Sequence, residues 1–146
     1  MQDPPEGMTR IIPYLLYEDV AGALDWLATA FGFRERLRYP DPDGRISHAE
    51  MELGDGVIML GQPGADYRNP KRLGSATQLV CVYIDDVDAH CERAKQAGAS
   101  ILREPADQDY GERSYMAEDP EGHQWSFARR LRDVAPKEWG AQPAVR

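Results

Sequence analysis

The feature that most constrains this chain is that it repeats itself. Laid against itself with a shift of about 66 residues, the segment IIPYLLYEDVAGALDWLATAFGF falls over QLVCVYIDDVDAHCERAKQAGAS. Each copy carries an apolar run, an Asp-Val pair, a helical stretch and a glycine, so Asp19-Val20 matches Asp86-Val87 and Gly32 matches Gly98. At 146 residues the chain is too short for two independent domains, and the two copies are expected to be small modules sharing one globular unit.

Each part of the repeat has a physical reading. Ile11 to Tyr17 and Leu79 to Ile84 are short and rich in β-branched, leucine and aromatic residues, which predicts strands. Asp19 and Asp86 stand where a helix N-cap accepts backbone N–H bonds. Val20, Leu24, Leu27 and Phe31 then recur at helical spacing, matched by Val87, Cys91 and Ala94. Gly32 and Gly98 sit where a left-handed C-terminal cap suits glycine. Strand-like segments around tight turns follow each helix. HAEMEL and VIMLG flank Gly54-Asp55-Gly56, SYMAED and HQWSFA flank Pro120-Glu121-Gly122, and Gly56 is laid over Gly122. The reading is an α+β fold of two βαβββ modules. Alone, each module leaves sheet edges and an apolar face open, so two should pair, within the chain or between chains, around a concave sheet. A ferredoxin-like sandwich with no site has the same periodicity.

Residues 1–9 are read as an N-terminal extension, 10–131 as one domain with modules at 10–61 and 76–131, and 132–146 as a tail. The Pro-, Gly- and Asn-containing stretch Gly61 to Gly74 is the linker and a candidate edge of the site. A net charge of −8, with no isolated basic cluster, argues against nucleic acid as a partner. No stretch approaches the roughly 20 apolar residues of a membrane span. The start, MQDPPEGMTR, lacks the pattern of a secretory signal, and two cysteines make no disulfide framework, so a cytoplasmic location is expected.

PYLLYEDVAGALDWLATAFGF, HAEMELGDGVIML, and VYIDDVDAHCERAKQAGASI followed by YGERSYMAEDPEGHQW resemble the vicinal oxygen chelate superfamily of glyoxalases, bleomycin resistance proteins and dioxygenases. Within it they look most like the PhnB-like branch, and the likeness spans roughly residues 10–130. The resemblance implies two βαβββ modules forming a cupped, partly open mixed β-sheet barrel with helices outside, and a homodimer. It also poses the question of a metal, because some members are metalloenzymes and others bind antibiotics without one. Metal-dependent relatives carry His, Gln or Glu on the first and last strand of each module. Counting from Asp19 and Asp86 gives Ile12 and Leu79; counting from Gly56 and Gly122 gives Leu60 and Ser126. A register one residue off offers Pro13, Gln78, Met59 or Gly61, and Trp125 or Phe127, of which Gln78 alone is a plausible ligand. No metal site and no cofactor are therefore expected.

Strand alternation selects the residues that line the cup. They are Tyr14, Leu16, His48, Glu50, Ile58, Leu60, Cys81, Tyr83, Ser114, Met116, Gln124 and Ser126, with Glu52 beside them. Ala49, Met51 and Leu53 should face the helices. This lining suits a small organic, aromatic molecule held without a metal. His48 and Glu50, two apart on one strand face, are the candidate catalytic pair if the chain is instead a lyase, isomerase or dioxygenase-like enzyme. His123 points away from the cup by alternation and is read as structural. Tyr110, Glu112 and Arg113 lie on a loop approach that can close over a ligand. Cys81 has no evident activating neighbour and is not read as a nucleophile.

Overall fold

The Asp-Val pairs begin the helices as their chemistry requires. In the computed structural model, which describes residues 1–145, the Asp19 carboxylate accepts from Gly22 N at 3.0 Å and opens α1 (Val20–Phe31). Asp86 accepts from Ala89 N at 3.1 Å and opens α3 (Val87–Gln96). Gly32 ends α1 at φ +82°, a left-handed conformation that glycine adopts without strain. A single helical turn in the linker, α2 (Pro70–Leu73), is capped by Asn69.

Eight strands complete the two modules. The first sheet has the order β1 (Tyr14–Leu16), β4 (Gly56–Gly61), β3 (Ile46–Leu53), β2 (Arg34–Pro40). The second has the order β5 (Leu79–Tyr83), β8 (Gln124–Arg130), β7 (Glu112–Glu118), β6 (Ser100–Asp107). In each, one parallel pair (β1 with β4, β5 with β8) adjoins two antiparallel hairpins. Both sheets are mixed and unclosed, and β1 and β5 are free edges.

The modules meet through their helices. α1 packs on α3, and a single core takes in Leu15, Leu24, Leu27, Phe31 and Phe33 from one module and Cys91, Ala94, Tyr115, Trp125 and Phe127 from the other. Phe31 lies 4.5 Å from Phe127 and 5.4 Å from Trp125, centroid to centroid. Burying each such ring stabilises the fold by roughly 1.5–3 kcal/mol, which makes this aromatic cluster the main bond between the modules. Polar contacts fix its register. Arg93 donates to the α1 carbonyls of Ala28 and Thr29, and Trp26 Nε1 donates to Ala97 O at 2.8 Å. With the helices consumed in this way, the other face of each sheet is turned out of the core.

Two expectations fail on register. Alternation places Ile58 and Leu60 in the cup, but Leu60 pairs with Ala49 and Ile58 with Met51, and all four are buried in the core. The cause is the hairpin loops. Leu53 pairs with Gly56 across Gly54 and Asp55, whereas Glu118 pairs with Gln124 across the longer loop Asp119–His123. Laying Gly56 over Gly122 therefore slips β4 by one residue, and a one-residue slip exchanges the two faces of a strand.

Candidate functional site

The outward faces carry the candidate site. On the first sheet Tyr14 and Leu16 share a face with Met59 and Gly61 of β4 and with His48, Glu50 and Glu52 of β3. On the second, Leu79, Cys81 and Tyr83 share a face with Gln124, Ser126 and Ala128 of β8 and with Ser114, Met116 and Glu118 of β7. Tyr14 is 49% exposed and Tyr83 67%, so both aromatic walls are open to solvent. The faces of one chain do not close on each other.

On the first face the Tyr14 hydroxyl and His48 Nδ1 share a hydrogen bond of 2.8 Å. Nε2 stands 3.8 Å from Glu50 Oε1, beyond hydrogen-bond range. Glu50 is instead approached by Arg36 Nε at 3.4 Å, and Arg36 also donates to Glu52 at 2.9 Å and to Gly7 O at 3.1 Å. Hydrogen bonds from Arg34, and then from Arg36, hold the Glu52 carboxyl below the usual carboxylate range. The His48–Glu50 pair is therefore not assembled as a base and its orienting carboxylate.

On the second face the Tyr83 hydroxyl donates to Glu112 at 2.5 Å, and that bond, followed by partial burial, raises the phenol above its ordinary pKa. Arg103, on β6 opposite Met116, donates to the buried Ser114 hydroxyl at 2.8 Å. Of the loop candidates, Glu112 thus belongs to β7 and this face. Arg113 is bound to Asp88 and Asp107 instead, and Tyr110 lies 5.7 Å from the Trp139 ring in the tail. Cys81 is exposed and unpaired. Alternation along the strands did not reveal Met59, Gly61 or Arg103; the correct length of the first hairpin loop would have given the first two.

His123 lies in the core, 6% exposed, with Nε2 donating to Leu16 O at 2.7 Å. Beside it Asp119 accepts from Tyr17 Oη at 2.6 Å, Trp125 Nε1 at 3.1 Å, and the backbone N–H groups of Glu121 and His123. This network ties the β1–α1 connection to the second hairpin. A cavity of about 290 Å3 between Tyr17, Trp26, Asp119 and Glu121 opens next to it, away from both open faces. A cleft of about 320 Å3 runs instead beside β5, lined by Cys81, Tyr83, Ile11, Pro13, Leu53 and Val57.

Whether the donor set fits a metal is a question of chemistry. With β4 in its observed register, the face positions at the strand junctions are Tyr14 and Met59 in one module and Leu79, Cys81, Gln124 and Ser126 in the other. No group of three or more His, Cys, Asp or Glu among the described residues is placed to hold a metal ion. These residues do not fit the His, Gln or Glu set of the metal-dependent members.

Paired βαβββ modules with open, mixed sheets define a fold class, and the sequence places the chain within it. The model of the Glyoxalase/Bleomycin resistance protein/Dioxygenase superfamily matches residues 10–127, and the chain belongs to that superfamily. It is 34% identical over 127 residues to an uncharacterised protein of Mycobacterium bovis, covering 84% of each chain. It is 27% identical to a lactoylglutathione lyase of Neisseria meningitidis, over 74% of this chain and 80% of that one. Among solved structures it is similar to TioX from Micromonospora, with 36% identity and a TM-score of 0.68 over 87% of this chain and 100% of TioX. It shares the fold of TnmS3, an antibiotic binding protein from Streptomyces, with 20% identity and a TM-score of 0.66 over 84% of this chain and 97% of that one.

Proposed function

We propose that the chain binds a planar organic molecule on its open sheet faces and acts by holding it, with two copies closing one site. The observation that carries this reading is the exposed stripe Leu79, Cys81 and Tyr83 on the free edge strand β5, an apolar and aromatic wall with no cover of its own. A flat ligand laid on such a wall gains about 25 cal/mol per Å2 of apolar surface removed from water. Tyr14, His48, Gln124 and Ser126 supply the few polar groups that orient it. A second copy laid against the first would bring the face of one module over that of the other and cover the β1 and β5 edges. TnmS3, which has the same fold, is an antibiotic binding protein, and this supports the reading. The alternative of a lyase, isomerase or dioxygenase-like enzyme, which the Neisseria relative brings to mind, draws no support from the separated His48–Glu50 pair.

Calorimetry of the purified protein against a panel of polycyclic aromatic natural products tests the reading. Stoichiometric binding with the ligand recovered intact is expected. Conversion of a bound compound, abolished in His48→Ala, replaces this reading with the enzymatic one; a panel in which nothing binds overturns it.

A further inference from the structure

Among the described residues, the arginines of the two open faces differ in one respect. Arg36 is consumed by Glu50, Glu52 and the Gly7 carbonyl, Arg34 by Glu52, and Arg130 by Asp133. Arg103 has no carboxylate within 4.0 Å, and its one side-chain partner is the neutral Ser114 hydroxyl at 2.8 Å. It pairs with Met116, whose side chain lies on the open face, and Ser114 is itself 2% exposed, so the bond reaches from the edge strand β6 to a buried hydroxyl of β7 on that face. The acids on the same face are engaged elsewhere: Glu112 accepts from Tyr83, and Glu118 from Gln124.

A guanidinium presents five N–H donors in a planar fork that matches a carboxylate, and a single hydroxyl leaves most of that fork unused. In open water this costs nothing. Once a ligand or a second copy covers the face, unpaired donors lose their hydration, and a buried cation without a counter-charge is strongly unfavourable. The occupant of this face must therefore bring an acceptor. We infer that the ligand carries an acidic oxygen group, a carboxylate or an ionised phenol, and that Arg103 is its anchor. This rests on the reading of the open faces as an organic-ligand site. The chain's net charge of −8 does not weigh against it. Charges spread over the surface are screened within about 8 Å at physiological salt, whereas a contact pair at hydrogen-bond distance is screened far less.

The test compares a matched pair of probes, pyrenecarboxylic acid and its methyl ester, which share one flat ring system and differ in the charged oxygen. Titrated by pyrene fluorescence at neutral pH, the wild-type protein is expected to prefer the acid by about tenfold or more, as a charge-assisted fork contact implies. Arg103→Gln should bring the acid to the level of the ester, and Arg103→Lys, which keeps the charge but not the fork, should retain part of the preference. Circular dichroism on both variants guards against loss of fold. Equal binding of acid and ester by the wild type, or a preference that survives Arg103→Gln, overturns the anchor while leaving the ligand site standing. If neither probe binds, the ligand site fails and the anchor with it.

Discussion

The Tyr14 ring lies so flat on Gly61 that a Cβ at residue 61 would stand 2.6 Å from the phenol oxygen. His48 is the β3 partner of Gly61, so the missing side chain is what allows Tyr14 to cross β4 and reach His48 Nδ1. Gly61→Ala is therefore expected to lift the ring from the sheet and break that hydrogen bond. Ligand affinity should fall by about 1 kcal/mol, the net worth of one such bond. A crystal structure of the variant with Tyr14 still on His48 would contradict this account.

His90 gives a pH dependence with a definite sign. Its Nε2 donates to Phe31 O at 3.0 Å and its Nδ1 accepts from Tyr115 Oη at 2.5 Å, joining α3 to the end of α1 and to β7. Burial first, and then the charge of Arg93, lower its pKa below the ordinary histidine value of 6.5, although the bond to Phe31 O opposes them. The unfolded chain thus takes up the proton more readily. The stability from neutral His90 is complete above the unfolded value and is lost as pH falls from there through the lower folded value. Thermal unfolding followed from pH 8 to 5 should show the midpoint dropping below about pH 6.5. In His90→Gln the drop should be shallower, with overall stability lower by about 1–2 kcal/mol. An unchanged slope in the variant would remove His90 as the cause.

The donor chemistry of the faces predicts that the purified protein, dialysed without chelator, carries no stoichiometric Zn, Ni, Mn or Fe. Elemental analysis decides it. About one such ion per chain, lost on replacing His48 or Glu50, would mean that the faces rearrange to build a site these residues do not make now.

The uncovered walls predict association. Light scattering should give twice the chain's 16.4 kDa at micromolar concentration. Tyr83→Glu, which places a charge on the edge strand, should shift the population toward the single chain. A single chain at every concentration would leave the two faces as separate half-sites.

The duplicated unit, its capped helices and its hairpins were legible because they rest on local rules: an aspartate before an apolar helical stripe, a glycine after it, alternation along a strand. Tyr14, Leu16, Cys81 and Tyr83 could be placed by counting from those aspartates, since the connection from strand to helix has the same length in both modules. Ile58 and Leu60 could not, because the count crossed hairpin loops of different length. The partners of Arg36 and the isolation of Arg103 were out of reach for a different reason. Both lie at β-bulges, between Glu35 and Leu37 and beside Arg103, where simple alternation fails.

The same register error yields the sharpest test of which residues belong to the core and which to the face. Leu60 is 0% exposed and packs among Leu15, Ala49 and the α1 side chains, so Leu60→Ala should cost about 2–5 kcal/mol of stability through lost burial and the cavity left behind. Tyr83 is 67% exposed and bonded only to Glu112, so Tyr83→Ala should change stability by about 0.5 kcal/mol or less. Its effect should fall on the ligand, with affinity weaker by roughly 1–3 kcal/mol through the lost aromatic wall. Urea unfolding of both variants, set beside calorimetry with whichever planar compound the panel identifies, separates the two roles. If Leu60→Ala lowered affinity at unchanged stability while Tyr83→Ala did the reverse, the face assigned to each strand here would be the wrong one.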